Sequence, residues 1–370
     1  MDFKNLKVAI VCDWLTGIGG AERVVKSLHD IFPDAPIYTS QYDPTKIDWF
    51  KDAEVKTGFL NHLPTSLKKF LPVLRFFYFN NLDLSDYDLV ISSSGAEAKG
   101  VKTGKNTIHI CYMHAPTHYY WSRYNQYLKH PGMGKLDPLA RFGLKTLVSP
   151  LRKWDKAFSK RPDFIIANST HTKAEIMKYY NRESFVIFPP VELDRFKNTY
   201  TKKSGFVVTG RQTPYKKIDL AVRASKELNE KLTVIGNGPD HQKLLEIADG
   251  NKNITFVANA SDKEVADYLK KAKGFIFAGI DDFGIAPVEA LASGTPVIAF
   301  NKGGALDYIK NKENGILFNK QNVKTLKEAI KEFSTLTFDQ QKVAKTADRF
   351  SEKQFKDNII KFIKDCLNKK

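Results

Sequence analysis

The sequence predicts two doubly wound α/β domains in tandem, and three observations carry that expectation. A chain of 370 residues exceeds what one hydrophobic core usually serves. Strand-like and helix-like patches alternate almost throughout, which asks for parallel sheets with crossover helices. The alternation then restarts after a polar, Lys-rich break with two prolines, FPPVELDRFKNTYTKKSG at 188–205. The first domain is expected over 1–195 and the second over 200–350, with a last helix over 351–370 packing back on the first.

The elements follow in order. KVAIVCDWL is a short apolar run without a small-residue cleavage site, closed by Asp13, so it reads as a buried strand rather than a secretory leader. In AERVVKSLHDIF, Val24, Val25, Leu28, Ile31 and Phe32 recur at helical spacing. DLVISSS at 88–94, TIHICYMH at 107–114 and DFIIANS at 163–169 are further apolar runs ending in small or polar residues. The second half supplies FVVTG at 206–210, KLTVIGNG at 231–238, NITFVANA at 253–260, GFIFAG at 274–279 and PVIAF at 296–300. Ser351 and Gln354 stand at capping-box spacing, and Phe355, Ile359, Phe362 and Ile363 of the helix they open would cover a sheet face. Doubly wound sheets bind ligands beyond the carboxyl ends of their strands, where the strand order switches. Two such edges facing across a cleft would grip one ligand from both sides.

Hydrophobic content of 42% and charged content of 27% are those of an ordinary globular protein. No stretch approaches the ~20 apolar residues of a membrane span. Cys12, Cys111 and Cys366 have neither metal nor disulfide spacing, which points to a reducing cytosol. The net charge of +17 calls for an anionic partner. In LARFGLKTLVSPLRKWDKAFSKR at 139–161, seven Lys and Arg residues interleave with Leu139, Phe142, Leu147, Leu151, Trp154 and Phe158. SLKKFLPVLRFFYF at 66–79 mixes Lys68, Lys69 and Arg75 with Phe and Leu. Such segments suit an anionic membrane surface, so the chain is expected in the cytoplasm, peripheral on the inner face of the cytoplasmic membrane. The alternative is two core-packed helices with a solvated basic face. Nucleic acid is not expected, because no recognition motif accompanies the charge.

Candidate ligand-binding residues cluster at strand ends. Gly17, Gly19 and Gly20 of TGIGGAER lie between the first strand and its helix, where backbone amides can approach an anion. Arg211, Lys216 and Lys217 in GRQTPYKKIDLAV suit a diphosphate whose charge grows as a bond breaks. Gly236 and Asn237 belong to another glycine-rich strand end, VIGNGPD. The richest stretch is AGIDDFGIAPVEALASGTPVIAFNKGGALD at 278–307. Here Asp281 lies in the loop, Phe283-Gly284-Ile285 opens a helix, Pro287 sits in its first turn, Glu289 lies on it and Gly294 closes it. Free amides at that helix start can hold phosphate while Asp281 and Glu289 accept hydrogen bonds from sugar hydroxyls. Gly303-Gly304 adds a further close-approach loop. Asp86-Tyr87-Asp88 mimics a metal-binding DxD but sits at the entry to a strand rather than its exit.

With these residues in view, the chain resembles glycosyltransferase family four (group 1) of the GT-B architecture, two Rossmann-like domains facing across a cleft. The matching motifs are GGAE at 19–22, GR…K at 210–216, GNGP at 236–239, DDFGIAPVEALASGTPVIA at 281–299, and ANS at 167–169 with PPVELDRF. CYMHAPTHYYW and GRQTPYKKIDLAV look most like the branch of bacterial surface-polysaccharide mannosyltransferases. The resemblance implies a retaining, metal-independent hexosyltransferase. Its donor would be a nucleotide-sugar, GDP-mannose or a UDP-hexose, and its acceptor lipid-linked or a polysaccharide, with no further cofactor. It implies that Glu289 holds the ribose, that Arg211 and Lys216 hold the diphosphate, and that Gly284 and Ile285 supply amides. It puts Gly19 and Gly20 beneath the donor phosphates and His114 near the sugar, with His109 and His118 as rivals. Asp281 stands where the family has a glutamate that addresses the donor sugar, and is one methylene shorter. A nucleotide-sugar-binding protein without catalysis is the alternative of another class.

Overall fold

The structure, a computed structural model, describes residue 3 and residues 6–64, 71–132, 134–196 and 203–368. Lys68 and Lys69 of the second basic segment lie outside the described residues, as do 197–202 of the polar break. The chain divides into two compact units, 1–190 with 355–370, and 191–354.

The first unit is built on seven parallel strands: β1 (Val8–Cys12), β2 (Ile37–Thr39), β3 (Val55–Lys56), β4 (Leu89–Ser94), β5 (Ile108–Met113), β6 (Phe164–Ala167) and β7 (Phe185–Val186). Their order is β3-β2-β1-β4-β5-β6-β7, so the direction of winding reverses between β1 and β4. Every residue of β1, β4 and β5 is buried, as expected of parallel strands covered on both faces. The helices are α1 (Gly20–Ile31), α2 (Pro72–Asn81), α3 (Tyr124–Lys129), α4 (Asp137–Phe158) and α5 (Thr170–Tyr180). On one face Val24, Val25 and Leu28 of α1 pack with Ile10, Ile91 and Ile110; on the other, Phe79 and Phe158 pack with Ala9, Val11 and Val90.

The second unit repeats the plan with β8 (Phe206–Thr209), β9 (Leu232–Ile235), β10 (Ile254–Val257), β11 (Gly274–Phe277), β12 (Val297–Phe300) and β13 (Gly315–Phe318). The order β10-β9-β8-β11-β12-β13 puts its reversal between β8 and β11. Its helices are α6 (Ile218–Leu228), α7 (His241–Ala248), α8 (Asp262–Lys271), α9 (Ile285–Ala292), α10 (Val323–Ser334) and α11 (Gln340–Lys345). Ser261 caps α8 in a reciprocal box with Glu264, and Gly294, at φ +65°, follows the end of α9. The last helix, α12 (Glu352–Leu367), begins where the Gln354 amide donates to Ser351 Oγ at 3.3 Å. Its Phe355, Ile359 and Ile363 join the core that holds β1 and β5.

Buried charges organise the carboxyl edge of the first sheet. The Asp13 carboxylate, just past β1, accepts hydrogen bonds from the amides of Gly95 (2.7 Å), Ala96 (3.0 Å) and Ala98 (2.7 Å). It thereby fixes the loop after β4. From that loop Glu97 pairs with Arg75 of α2 at 2.7 Å, and Lys99 pairs with Asp155 of α4 at 2.7 Å. Asp155 also accepts from Thr117 Oγ1, Trp121 Nε1 and Tyr180 Oη at 2.8, 2.7 and 2.6 Å, so its lone pairs are well used. A buried pair is worth little against apolar isosteres but costs much when only one partner is removed. His109 of β5 is fully buried, with Nε2 2.8 Å from Ser92 Oγ. Burial pushes its imidazole down to about 3, with Arg161 and Arg182 adding to the shift.

Two outcomes follow from these groups. Lys99→Met leaves Asp155 charged and unpaired, and should lower the stability of the first unit by about 3–5 kcal/mol, read as a lower urea midpoint. For His109 the unfolded imidazole takes up its proton near 6.5 and the folded one only near 3. Its stabilising contribution is therefore complete above 6.5 and is lost as pH falls towards 3. Between pH 7 and pH 5 the loss is about 2 kcal/mol, and His109→Gln should show a correspondingly flatter pH dependence in urea unfolding.

Candidate functional site

Beyond the switch between β1 and β4 lies a cavity of about 260 Å³. Trp14, Glu22, His114, His118, Tyr119 and Tyr127 are among the residues that line it, with Asp13 and Ser93 at its base. The His114 imidazole is oriented by Ser93 Oγ, 2.8 Å from Nε2. Its backbone is held from both sides: its amide donates to Ser94 O at 2.9 Å, and its carbonyl accepts from Asn168 Nδ2 at 2.9 Å. Of the three histidines weighed from sequence, His114 and His118 reach this cavity and His109 belongs to the core. Gly19 is the extended N-cap of α1 and Gly20 its first residue. A Cβ on Gly19 would meet only the mobile end of Glu22, at 2.8 Å, so packing alone does not demand glycine there. Asp88 of the DxD-like triplet accepts from the Lys7 amide at 2.9 Å, a strand-entry contact.

In the second unit the loops after β8, β9, β11 and β12 interlock through their backbones. A Cβ at Gly279 would come within 2.9 Å of Lys216 Cα and O. One at Gly304 would overlap Phe283 Cα and O, and the Gly304 amide donates to Asp281 O at 2.9 Å. Gly236, at φ +112°, backs on the Gly210 carbonyl, and the Asn237 carbonyl accepts from the Gln212 amide at 2.9 Å. Gln212, fully buried, donates to Gly236 O at 2.6 Å and meets His241 Nδ1 at 2.7 Å.

This scaffold brings Lys216 and Asp281 together: Lys216 Nζ pairs with Asp281 Oδ2, while Asp281 Oδ1 is buried with no hydrogen-bond partner. Arg211 is exposed on the same loop as Lys216. Phe283 is buried, its carbonyl accepting from Tyr308 Oη at 3.0 Å, and Gly284 is the N-cap of α9 at φ +90°. Ile285 is the first residue of α9. Glu289, four residues on, is buried on that helix and pairs with Arg195 Nη2 at 2.9 Å. The two carboxylates read as ligands for sugar hydroxyls thus each hold a cation of the chain. Arg195 lies in the 3-10 turn Asp194–Phe196 and also pairs with Asp262 at the start of α8. Arg195, Gln212 and Glu22 stand in the sequence only inside the motifs PPVELDRF, GRQTPYKKIDLAV and GGAE, and none carries a spacing signal that announces its partner.

The basic segment at 139–161 falls on α4, and its two halves differ. Val148, Leu151, Asp155 and Phe158 are buried, whereas Leu139 (65% exposed), Phe142 (66%) and Leu147 (46%) face solvent beside exposed Arg141 and Lys145. Phe76 of α2 stacks on Trp154 at 4.3 Å and Phe158 at 4.5 Å, tying the two helices together. Among the described residues no helix is long and apolar enough to cross a membrane.

Residues 191–363 match the family described as glycosyl transferases group 1. An uncharacterized glycosyltransferase of Methanocaldococcus jannaschii is 28% identical over 184 residues, 49% of this chain and 52% of that protein. The O-antigen chain mannosyltransferase of Salmonella typhimurium is 27% identical over 193 residues, 47% of this chain and 55% of that one. The chain therefore spans about half the length of these relatives. Among solved structures, Anabaena HepE in complex with UDP superposes with a TM-score of 0.69 at 15% identity, over 96% of this chain and 100% of that one. That likeness is one of fold, two Rossmann-like parallel-sheet domains. Residues 191–363 are thus similar to the glycosyl transferases group 1 family, and the relatives that the chain resembles include a mannosyltransferase.

Proposed function

We propose that this chain is a retaining, metal-independent glycosyltransferase that moves mannose from GDP-mannose to a lipid-linked or polysaccharide acceptor in cell-surface glycan synthesis. The observation that carries the reading is the Lys216–Asp281 pair, set beside the Gly284 start of α9 by backbone contacts that admit no side chain. When a diphosphate enters, Lys216 exchanges one anionic partner for another, and Asp281 becomes available to a sugar hydroxyl. The bond between the anomeric carbon and the diphosphate oxygen then breaks, and the acceptor hydroxyl oxygen bonds that carbon on the same face while its proton passes to the departing diphosphate oxygen. Charge growing on the leaving diphosphate is met by Lys216, Arg211 and the amides of Gly284 and Ile285, while Glu289 holds the ribose. In the first unit His114, oriented by Ser93, and Gly19 and Gly20 serve the sugar and phosphate end of the donor. The mannosyl assignment draws on the relationship to the Salmonella O-antigen enzyme. A UDP-hexose donor is the second reading, favoured by HepE, also solved with UDP-glucose.

The exposed first half of α4 supports a place at an anionic membrane surface on the cytoplasmic side. Leu139, Phe142 and Leu147 would enter the headgroup layer while Arg141 and Lys145 meet lipid phosphates.

Thermal-shift screening against GDP-, UDP- and ADP-sugars tests the donor. A donor present at 100 times its Kd adds about 2.7 kcal/mol to the folded state. GDP-mannose should raise the melting temperature, and Glu289→Ala should abolish the rise. Silence across the whole panel would remove the enzyme reading. For the membrane, the protein should float with anionic vesicles at low salt, and Phe142→Glu should release it; a protein that stays at the bottom of the gradient contradicts the surface assignment.

A further inference from the structure

Arg195 stands outside the set of residues that the family motifs assign to the donor, yet it ties Glu289, read as the ribose ligand, to the start of α8. We propose that Arg195 is a positioning residue for the nucleoside half of the donor site, holding Glu289 and the loop after β10 in the arrangement that receives ribose and base. The proposal rests on the donor reading above.

The geometry is that of a fork with two carboxylates on separate nitrogens. Nη2 lies 2.9 Å from Glu289 Oε1, and Nη1 pairs with Asp262 Oδ2. Nε is 4.0 Å from Glu192 Oε2, and the guanidinium carbon sits 4.8 Å from the centroid of the Phe196 ring, which stiffens the side chain. Glu289 is on α9, the helix after β11; Asp262 opens α8, the helix after β10. The capping box of Ser261 and Glu264 fixes the backbone at the entry to α8, from which the exposed Asp262 carboxylate reaches Arg195. A nucleotide on a doubly wound sheet lies along the carboxyl edge. Glu289 lies a turn beyond the α9 start whose amides are read as meeting the diphosphate, so a group that joins it to the start of α8 is assigned to the nucleoside end.

Two physical consequences follow. The fork restrains Glu289 to one rotamer, so its carboxylate meets ribose hydroxyls without an ordering cost at the moment of binding. It also neutralises one of two carboxylates that would otherwise repel an incoming diphosphate. A lysine keeps the charge but cannot satisfy both carboxylates in this planar geometry.

The test uses the full chain, with GDP and UDP as probes of the whole site and inorganic pyrophosphate as a probe of its phosphate half, all by calorimetry. Arg195→Ala should raise the Kd of the preferred nucleoside diphosphate by about tenfold or more and leave pyrophosphate affinity unchanged. In turnover, KM for the donor should rise while kcat is largely kept, and Arg195→Lys should recover part of the loss. Should Arg195→Ala fail to fold, Arg195→Lys gives the same contrast at smaller amplitude. Equal weakening of nucleotide and pyrophosphate, or an unchanged nucleotide Kd, overturns the proposal. A wild-type chain that binds neither nucleotide removes the donor reading first and this inference with it, whereas a wild type that binds with Arg195 indifferent removes this inference alone.

Discussion

The arrangement in the second unit depends on backbone lying directly against backbone at the carboxyl edge of its sheet. Gly279 admits the main chain of Lys216, and Gly304 admits that of Phe283, at separations where a methyl group would overlap. With no side chain between them, three loops from β8, β11 and β12 behave as one layer. Lys216 and Asp281 are ion-paired because their backbones are already placed; the pair is a result of the glycines rather than the force that assembles the loops. An exposed ion pair would add little by itself. Here both side chains are mostly covered, 21% and 14% exposed, so the electrostatics are stronger than at a surface and more sensitive to replacement by a ligand anion.

The first unit solves the same geometric problem by other means. Its switch-point loop, residues 95–100, is held by a carboxylate accepting backbone amides and by two buried ion pairs, with few glycine contacts. Arg75 links that loop to the cavity wall: it donates to Tyr119 Oη at 3.3 Å and lies 5.0 Å from the centroid of the Trp14 ring. A carboxylate satisfied by amides and a cation held under an aromatic ring define one conformation, because any rearrangement leaves buried charge unpaired. The cavity residues Trp14, His114 and Tyr119 are therefore fixed before a ligand arrives, which lowers the entropy cost of recognition.

Much of this was legible in the sequence, for identifiable reasons. Apolar runs such as VAIVC and VIAF are buried on both faces, so they announce parallel strands without needing a periodicity. The start and stop of α9 could be read from Gly284, Pro287 and Gly294, whose conformational demands are local. What escaped is non-local. Arg195 and Glu289 are 94 positions apart, and no rule of spacing joins them. Arg75 and Lys99 look like solvated cations in a chain of net charge +17, yet both are buried. The amphipathic character of 139–161 is visible in its pattern; that the first half of α4 leaves Leu139 and Phe142 in solvent is not, because the same amphipathic pattern serves a core and a membrane.

Net charge thus describes two populations of cation that sequence cannot separate. Those of α4, such as Arg141 and Lys145, are exposed among apolar side chains and fit a diffuse anionic surface, where each contributes weakly and in proportion to its number. Arg195 and Lys216 are covered and each keeps a carboxylate partner. A cation in that state cannot lose its counter-ion without a replacement, since the desolvated charge would otherwise stand alone. On the proposed function the carboxylate therefore does more than neutralise the cation: it sets the kind of ligand that can displace it, an anion of matching geometry, and the displaced carboxylate becomes an acceptor beside the newcomer. For Lys216 that exchange is the expected event when a diphosphate binds. For Arg195 the fork keeps Glu289 in place, so the carboxylate stays paired and offers its remaining lone pairs to a hydroxyl donor, and the pair persists through binding.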